Sequence, residues 1–301
     1  MELKLTELIH KNGVNKVNKV YKIGLSSCGK KLHRELFAEY SESGITEIEI
    51  SESDYENFDY REVYKFSNDY GVNLWSLHLP FAPFDVIDIS SKDKQLRDNT
   101  INLLTEIINK GAEIGIDKFI VHPSGEPLDD NDRNERMKYA KESLSKLSDV
   151  CEKNGAVICV EDLPRTCLGH SIEEMKELVA DDQRIKVCFD TNHITIQKPE
   201  DVILSIGDRI VTLHISDFDF INERHWLPGE GKINWQVTLN ALAEIGYNGA
   251  FMYEIGYACP KTILRNRNLT AKDFVRNANE LFSGSDITLI SSPKPGLGMW
   301  E

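Results

Sequence analysis

Eight times along this chain a short apolar run rich in β-branched residues gives way to a stretch with helical spacing. The strand candidates are Val20–Ser26, Ile45–Ile50, Val72–Leu79, Lys118–His122, Ala156–Glu161, Lys186–Asp190, a run opening at Ile210, and Gly249–Glu254. Helical spacing follows at Lys30–Ser43, Tyr55–Tyr70, Lys94–Ile114 and Asn134–Glu152, after the capping pattern Ser171-Ile-Glu-Glu174, and at Pro199–Ile206, Trp235–Ile245 and Ala271–Phe282. Near-continuous apolar strands suit a parallel sheet covered on its outer face by helices. Eight such units without a break in composition predict one α/β domain, a single (β/α)8 TIM barrel over residues 20–283. A doubly wound sheet is the alternative, and eight regular alternations with no second-domain pattern favour closure. Residues 1–19 read as an N-terminal extension and the Ser-, Pro- and Gly-rich 284–301 as a C-terminal tail.

Polar residues recur where these strands end. His78, His122, Glu161 with Asp162, Asp190 with His193, His214 with Asp217, and Glu254 close six consecutive strands. One histidine on one strand is ordinarily structural. Six in a row converge, because the C-terminal ends of barrel strands share a face. The set Glu161, Asp190, His214 and Glu254 offers three carboxylates, one imidazole and no thiolate. That donor set suits a single divalent ion with open positions, Mn²⁺, Co²⁺ or Mg²⁺, with Zn²⁺ also compatible. After Asp217 comes a long connection with Asp219, Glu223, Arg224, His225 and Trp226, then Pro228-Gly-Glu-Gly231. Trp75, Phe81, Phe84 and Trp226 are candidates for an apolar pocket wall or for plain packing.

Charge narrows the partners. A formal net charge of −14 gives no electrostatic footprint for nucleic acid. There is no N-terminal apolar signal region and no apolar run of membrane-spanning length, so the expectation is a soluble cytoplasmic protein with no membrane partner. Six cysteines without a CxxC pair read as free thiols. The sequence is compatible with a homo-oligomer and does not specify one.

Val160-Glu-Asp-Leu163, Phe189-Asp-Thr-Asn-His193, Leu213-His-Ile-Ser-Asp217, His225-Trp-Leu-Pro-Gly-Glu-Gly-Lys-Ile233 and Tyr253-Glu254 together resemble the xylose isomerase-like TIM-barrel superfamily, and within it the sugar phosphate isomerase/epimerase group. The resemblance implies metal ligation by Glu161, Asp190, His214 and Glu254, with Glu161 and Glu254 as the catalytic acid/base pair. It implies a small-molecule sugar substrate contacted by His193, with His78, His122, Asp217, Arg224, His225 and Trp226 as further candidates. The activity implied is isomerisation or epimerisation of an α-hydroxycarbonyl sugar or polyol through an enediolate, or dehydration of a keto-polyol. Two positions depart from the ketose epimerases: Cys167 stands near a usual Glu, and Phe220 at a usual Arg that Arg165 or Arg224 could replace. The chain also resembles the related apurinic endonucleases, whose metal ligands match His78, His122, Glu161, Asp190, His193, His214, His225 and Glu254, with Glu223 where they have Asp. That second resemblance implies a metal-dependent phosphodiesterase. A barrel that binds ligand without turnover is the third class.

Overall fold

The computed structural model describes residues 19–28 and 30–299. The expected N-terminal extension therefore lies, apart from Lys19, outside the described residues. Eight parallel strands form one sheet: β1 (Ile23–Ser26), β2 (Glu47–Ser51), β3 (Asn73–His78), β4 (Lys118–Val121), β5 (Val157–Glu161), β6 (Lys186–Asp190), β7 (Ile210–His214) and β8 (Phe251–Tyr253). Strands pair in chain order from β7 down to β1, and β8 follows β1. The remaining seam between β7 and β8 is stitched just past the strand, where Ile215 N donates to Met252 O at 2.8 Å and Glu254 N donates to Ile215 O at 3.2 Å. The sheet is thus a (β/α)8 barrel, as the strand count required.

Among the described residues eight α-helices surround it: α1 (Arg34–Ser43), α2 (Tyr60–Tyr70), α3 (Lys94–Glu113), α4 (Arg133–Lys153), α5 (Ile172–Val179), α6 (Pro199–Ile206), α7 (Trp235–Glu244) and α8 (Ala271–Ser283). Local chemistry sets their starts. Asp59 and Asp93 accept hydrogen bonds from the first-turn amides of α2 and α3, satisfying donors that no helix can pair internally. Helix α2 begins five residues later than the spacing predicts, because Tyr55 turns inward and its hydroxyl donates to His78 O at 2.6 Å. Ser171 caps α5 as expected, but the Glu174 carboxylate accepts from Gly169 N and Arg133 instead of closing the box.

The pleat sorts each strand into two faces. Phe119, Ile158, Val160, Val187 and Phe189 face the helices in the main core. Ile120, Cys159 and Cys188 form a separate buried cluster on the opposite faces, inside the barrel. There too, Trp75 Nε1 of β3 donates to Thr212 Oγ1 of β7 at 3.0 Å. The interior is packed, so the polar strand ends crown a closed base.

Residues 284–299, expected as a tail, lie along the barrel. Ile287 and Ile290 pack on the core, Ser292–Pro293 pairs antiparallel with Ile263–Leu264, and the carbonyls of Gly298 and Met299 accept from Arg224 and Asn222 at 2.5 Å each. No helix among the described residues is long and apolar enough to cross a membrane.

Candidate functional site

Ladder register brings the strand ends level. Asp190 lies opposite His214, and Glu161 opposite Cys188. His214 Nδ1 lies 2.9 Å from Glu161 Oε1, 3.6 Å from Glu254 Oε1 and 4.0 Å from Asp190 Oδ2. These four residues offer one ligand atom each within 4.8 Å of one another. Asp190 Oδ2 is buried with no hydrogen-bond partner, while Oδ1 accepts from Asn192 N at 2.6 Å. A buried carboxylate oxygen with no hydrogen bond, and with His193 Nε2 no nearer than 3.6 Å, is incompletely compensated beside other carboxylates, and a cation would complete the compensation. The residues present therefore fit a divalent ion, with oxygen donors and one imidazole.

Two further triads adjoin this set. Glu161 Oε2 faces His78 Nε2 at 3.1 Å and His122 Nε2 at 3.2 Å. On the other side His193, Glu223 and His225 form a third group, with His193 Nε2 at 3.7 Å from Glu223 Oε2. The orientation of three rings is fixed from behind. The Nδ1 atoms of His78, His193 and His225 are bonded to the carbonyls of Leu79, Asp162 and Glu254, at 2.9, 2.8 and 3.1 Å, so each presents Nε2 to the site. His122 is held by Phe81, whose ring stacks on it at 4.2 Å between centroids.

Burial and charge split the titration of these groups. Burial, reinforced by the charges of Glu161 and Asp190, pushes Glu254 up to about 8. Glu161 is also fully buried, yet the charge of His214 and contacts with His122, His214 and His78 hold it well below the usual carboxylate range. Burial opposes charge on His193 too, but Asp190 and Glu161 outweigh it and raise the ring to about 10. Burial brings His122 down to about 4.

Above the site opens a cavity of about 640 Å³, with Phe81, Phe84, Leu163 and Pro164 on its apolar side. Arg165, at φ 54, is the one Arg or Lys among its described lining residues. Its guanidinium donates to both oxygens of Glu126, at 2.8 and 2.7 Å, and reaches Glu223 Oε1 at 3.2 Å.

The structure brings together most of the residues read from sequence. His78, His122, Glu161, His193, His225 and Glu254 line the cavity, and Asp190 and His214 lie beneath them. Asp217, Arg224 and Trp226 do not line it; all three are buried. Asp217 accepts from Phe218 N, Gly229 N, Ile233 N and Trp235 Nε1, and so organises the connection after β7. Gly231 sits so close that a Cβ there would meet Asp217 Oδ1 at 2.2 Å. Arg224 binds Asp219 and Gly298 O, and Trp226 Nε1 donates to Thr262 Oγ1. Of the two arginines offered in place of the one absent at Phe220, Arg165 is the one in the cavity. Sequence reasoning missed Glu49, which is fully buried on β2 and bonded to His214. The signal was present in Glu47-Ile-Glu-Ile50, where carboxylates alternate with isoleucines in a buried strand.

Residues 37–276 match the family model described as xylose isomerase-like TIM barrel. An uncharacterized protein of Methanocaldococcus jannaschii is 29% identical over 182 residues, 58% of this chain and 62% of that protein, so the match spans less than two thirds of that relative. A D-psicose 3-epimerase of Ruminiclostridium cellulolyticum is 27% identical over 229 residues, covering 70% of this chain and 74% of the epimerase. A probable endonuclease 4 of Acholeplasma laidlawii is 25% identical over 63% of this chain and 69% of its own length. Among solved structures, a D-tagatose 3-epimerase-like protein superposes with a TM-score of 0.71 at 24% identity, over 87% of this chain and 98% of that one.

Proposed function

The chain belongs to the xylose isomerase-like TIM barrel family, and on that premise we propose that it is a divalent-metal-dependent isomerase or epimerase of an α-hydroxycarbonyl sugar or polyol. The observation that carries this reading is the convergence of Glu161, Asp190, His214 and Glu254 on a buried Asp190 oxygen that makes no hydrogen bond. A divalent ion held there would supply Lewis-acid stabilisation of oxyanion charge as a proton leaves carbon. Glu161 and Glu254, which flank His214 Nδ1 within the same ligand set, are the two carboxylates that take and return that proton. His193 and His225 stand beside them to orient hydroxyls, and the aromatic side of the cavity covers an apolar sugar face and thins the water around the reacting carbon. The relative named as a D-psicose 3-epimerase supports the substrate class.

A second reading, a multi-metal phosphodiesterase, has its own support. His78 and His122 share one oxygen of Glu161, and His193, Glu223 and His225 add a separate triad, so the site has donors for up to three ions. A probable endonuclease 4 among the relatives fits that count. Against a DNA substrate stand the net charge of −14 and an arginine already neutralised by two glutamates.

One experiment separates them. Protein saturated with Mn²⁺ or Zn²⁺ in D₂O is screened against ketoses, inososes and hydroxypyruvate for deuterium incorporation, and against an abasic-site duplex for incision at low salt. Deuterium uptake without incision supports the isomerase reading. Incision that is lost in His78→Ala overturns it.

A further inference from the structure

His214 is turned the opposite way from its neighbours. His78, His193 and His225 give Nδ1 to a backbone carbonyl and present Nε2. In His214 it is Nδ1 that looks into the carboxylate set, and Nε2 points down into the barrel. What waits there is Glu49, fully buried, with its two oxygens 3.0 and 3.1 Å from Nε2. Ser76 Oγ donates to Glu49 Oε2 at 2.7 Å, fixing the carboxylate from the next strand. Glu49 does not line the cavity, so no substrate reaches it directly. A carboxylate in a packed barrel interior is costly to bury and persists where its charge is paired.

Resting on the metal-centre reading, we propose that Glu49 is a positioning residue that accepts a hydrogen bond from the Nε2–H of His214, fixes that tautomer and aims the Nδ1 lone pair at the ion. A ring held by only one of its nitrogens can ligate only through the other. A carboxylate acceptor also makes the ring a stronger donor than a carbonyl does. This assigns His214 a ligating atom different from the Nε2 that His78, His122, His193 and His225 present, and sets β2, which carries none of the expected ligands, beneath the centre.

The test uses the full chain. Zinc affinity is measured by competition with a chromophoric chelator, and the tautomer of His214 is read by ¹⁵N NMR of histidine-labelled, zinc-loaded protein. The expected result is an Nε2-protonated His214 with metal-shifted Nδ1. Glu49→Leu, which removes the acceptor, should weaken zinc binding ~10–100-fold, and Glu49→Gln, which keeps an acceptor oxygen, a smaller ~3–10-fold with the tautomer retained. Should the Leu variant fail to fold, the Gln variant decides. Unchanged affinity in the folded variants, or zinc on Nε2 of His214, overturns the role of Glu49 alone. A wild-type chain that binds no zinc and no Mn²⁺ overturns the metal centre beneath it.

Discussion

His78 and His122 point their Nε2 atoms at the same oxygen of Glu161, from 3.1 and 3.2 Å. With Glu161 also facing His214, one carboxylate belongs to two neighbouring ligand sets. Removing an imidazole from one set should leave the other loaded. His78→Ala and His122→Ala are expected to retain one tightly held ion per chain and to lose any second, whereas Glu161→Gln should weaken both. Elemental analysis after gel filtration gives the stoichiometry. Complete metal loss in His78→Ala would contradict the division into two sets.

Glu254 is one of the two carboxylates of the proposed proton shuttle. Glu254→Gln should cut substrate-dependent deuterium incorporation at least ~100-fold, the usual scale of a lost general acid or base. Retained exchange removes Glu254 from the chemistry.

Protons and metal compete for this site. His193 keeps its proton to about 10 and Glu254 to about 8 in the metal-free fold. Both hold protons that the unfolded chain releases near 6.5 and 4.3, so their contribution to metal-free stability falls as pH rises between about 4 and 10, while His122, lowered to about 4, adds the opposite slope only below about 6.5. Metal binding runs the other way, since a ligand must shed its proton first. Urea melts of chelated protein at pH 6 and pH 9, with metal titrations at both, should give slopes of opposite sign.

Arg165 is gripped by Glu126 through two nearly parallel N–H···O bonds and leans on Glu223. In that state it offers little to an anion. Glu126→Gln should free part of its charge and strengthen competitive inhibition by inorganic phosphate several-fold. No change would show that the guanidinium is held by other contacts.

Asp217 is fully buried and accepts four N–H groups, two on each oxygen. Asp217→Asn turns one oxygen into a donor facing donors. The expected loss is about 2–3 kcal/mol in urea denaturation, with a raised KM because Glu223 and His225 ride on the loop it organises. A loss under about 0.5 kcal/mol would mean the loop is held elsewhere.

Much of this was written locally in the chain. Strand and helix periods set the eight units, and eight parallel units with their polar residues at the C-terminal ends set one crowded face. That Glu161, Asp190, His214 and Glu254 come together was legible because each ends its own strand or, for Glu254, directly follows it. Asp217, Arg224 and Trp226 were not assignable by position, because a loop side chain can turn to solvent, cavity or core. The contacts that decide among these lie far along the chain, at Gly229, Gly298 and Thr262.

The sequence by itself determined the barrel and the chemical character of its mouth, since hydrophobic period and strand-end residue type are local properties. Only the tertiary structure decided how the donors divide into three sets, two of them sharing Glu161, which nitrogen each histidine presents, and that a glutamate on β2 stands behind His214. Those relations depend on angles and distances between strands as much as 165 residues apart. Barrel closure fixes them, and no window of sequence contains both partners.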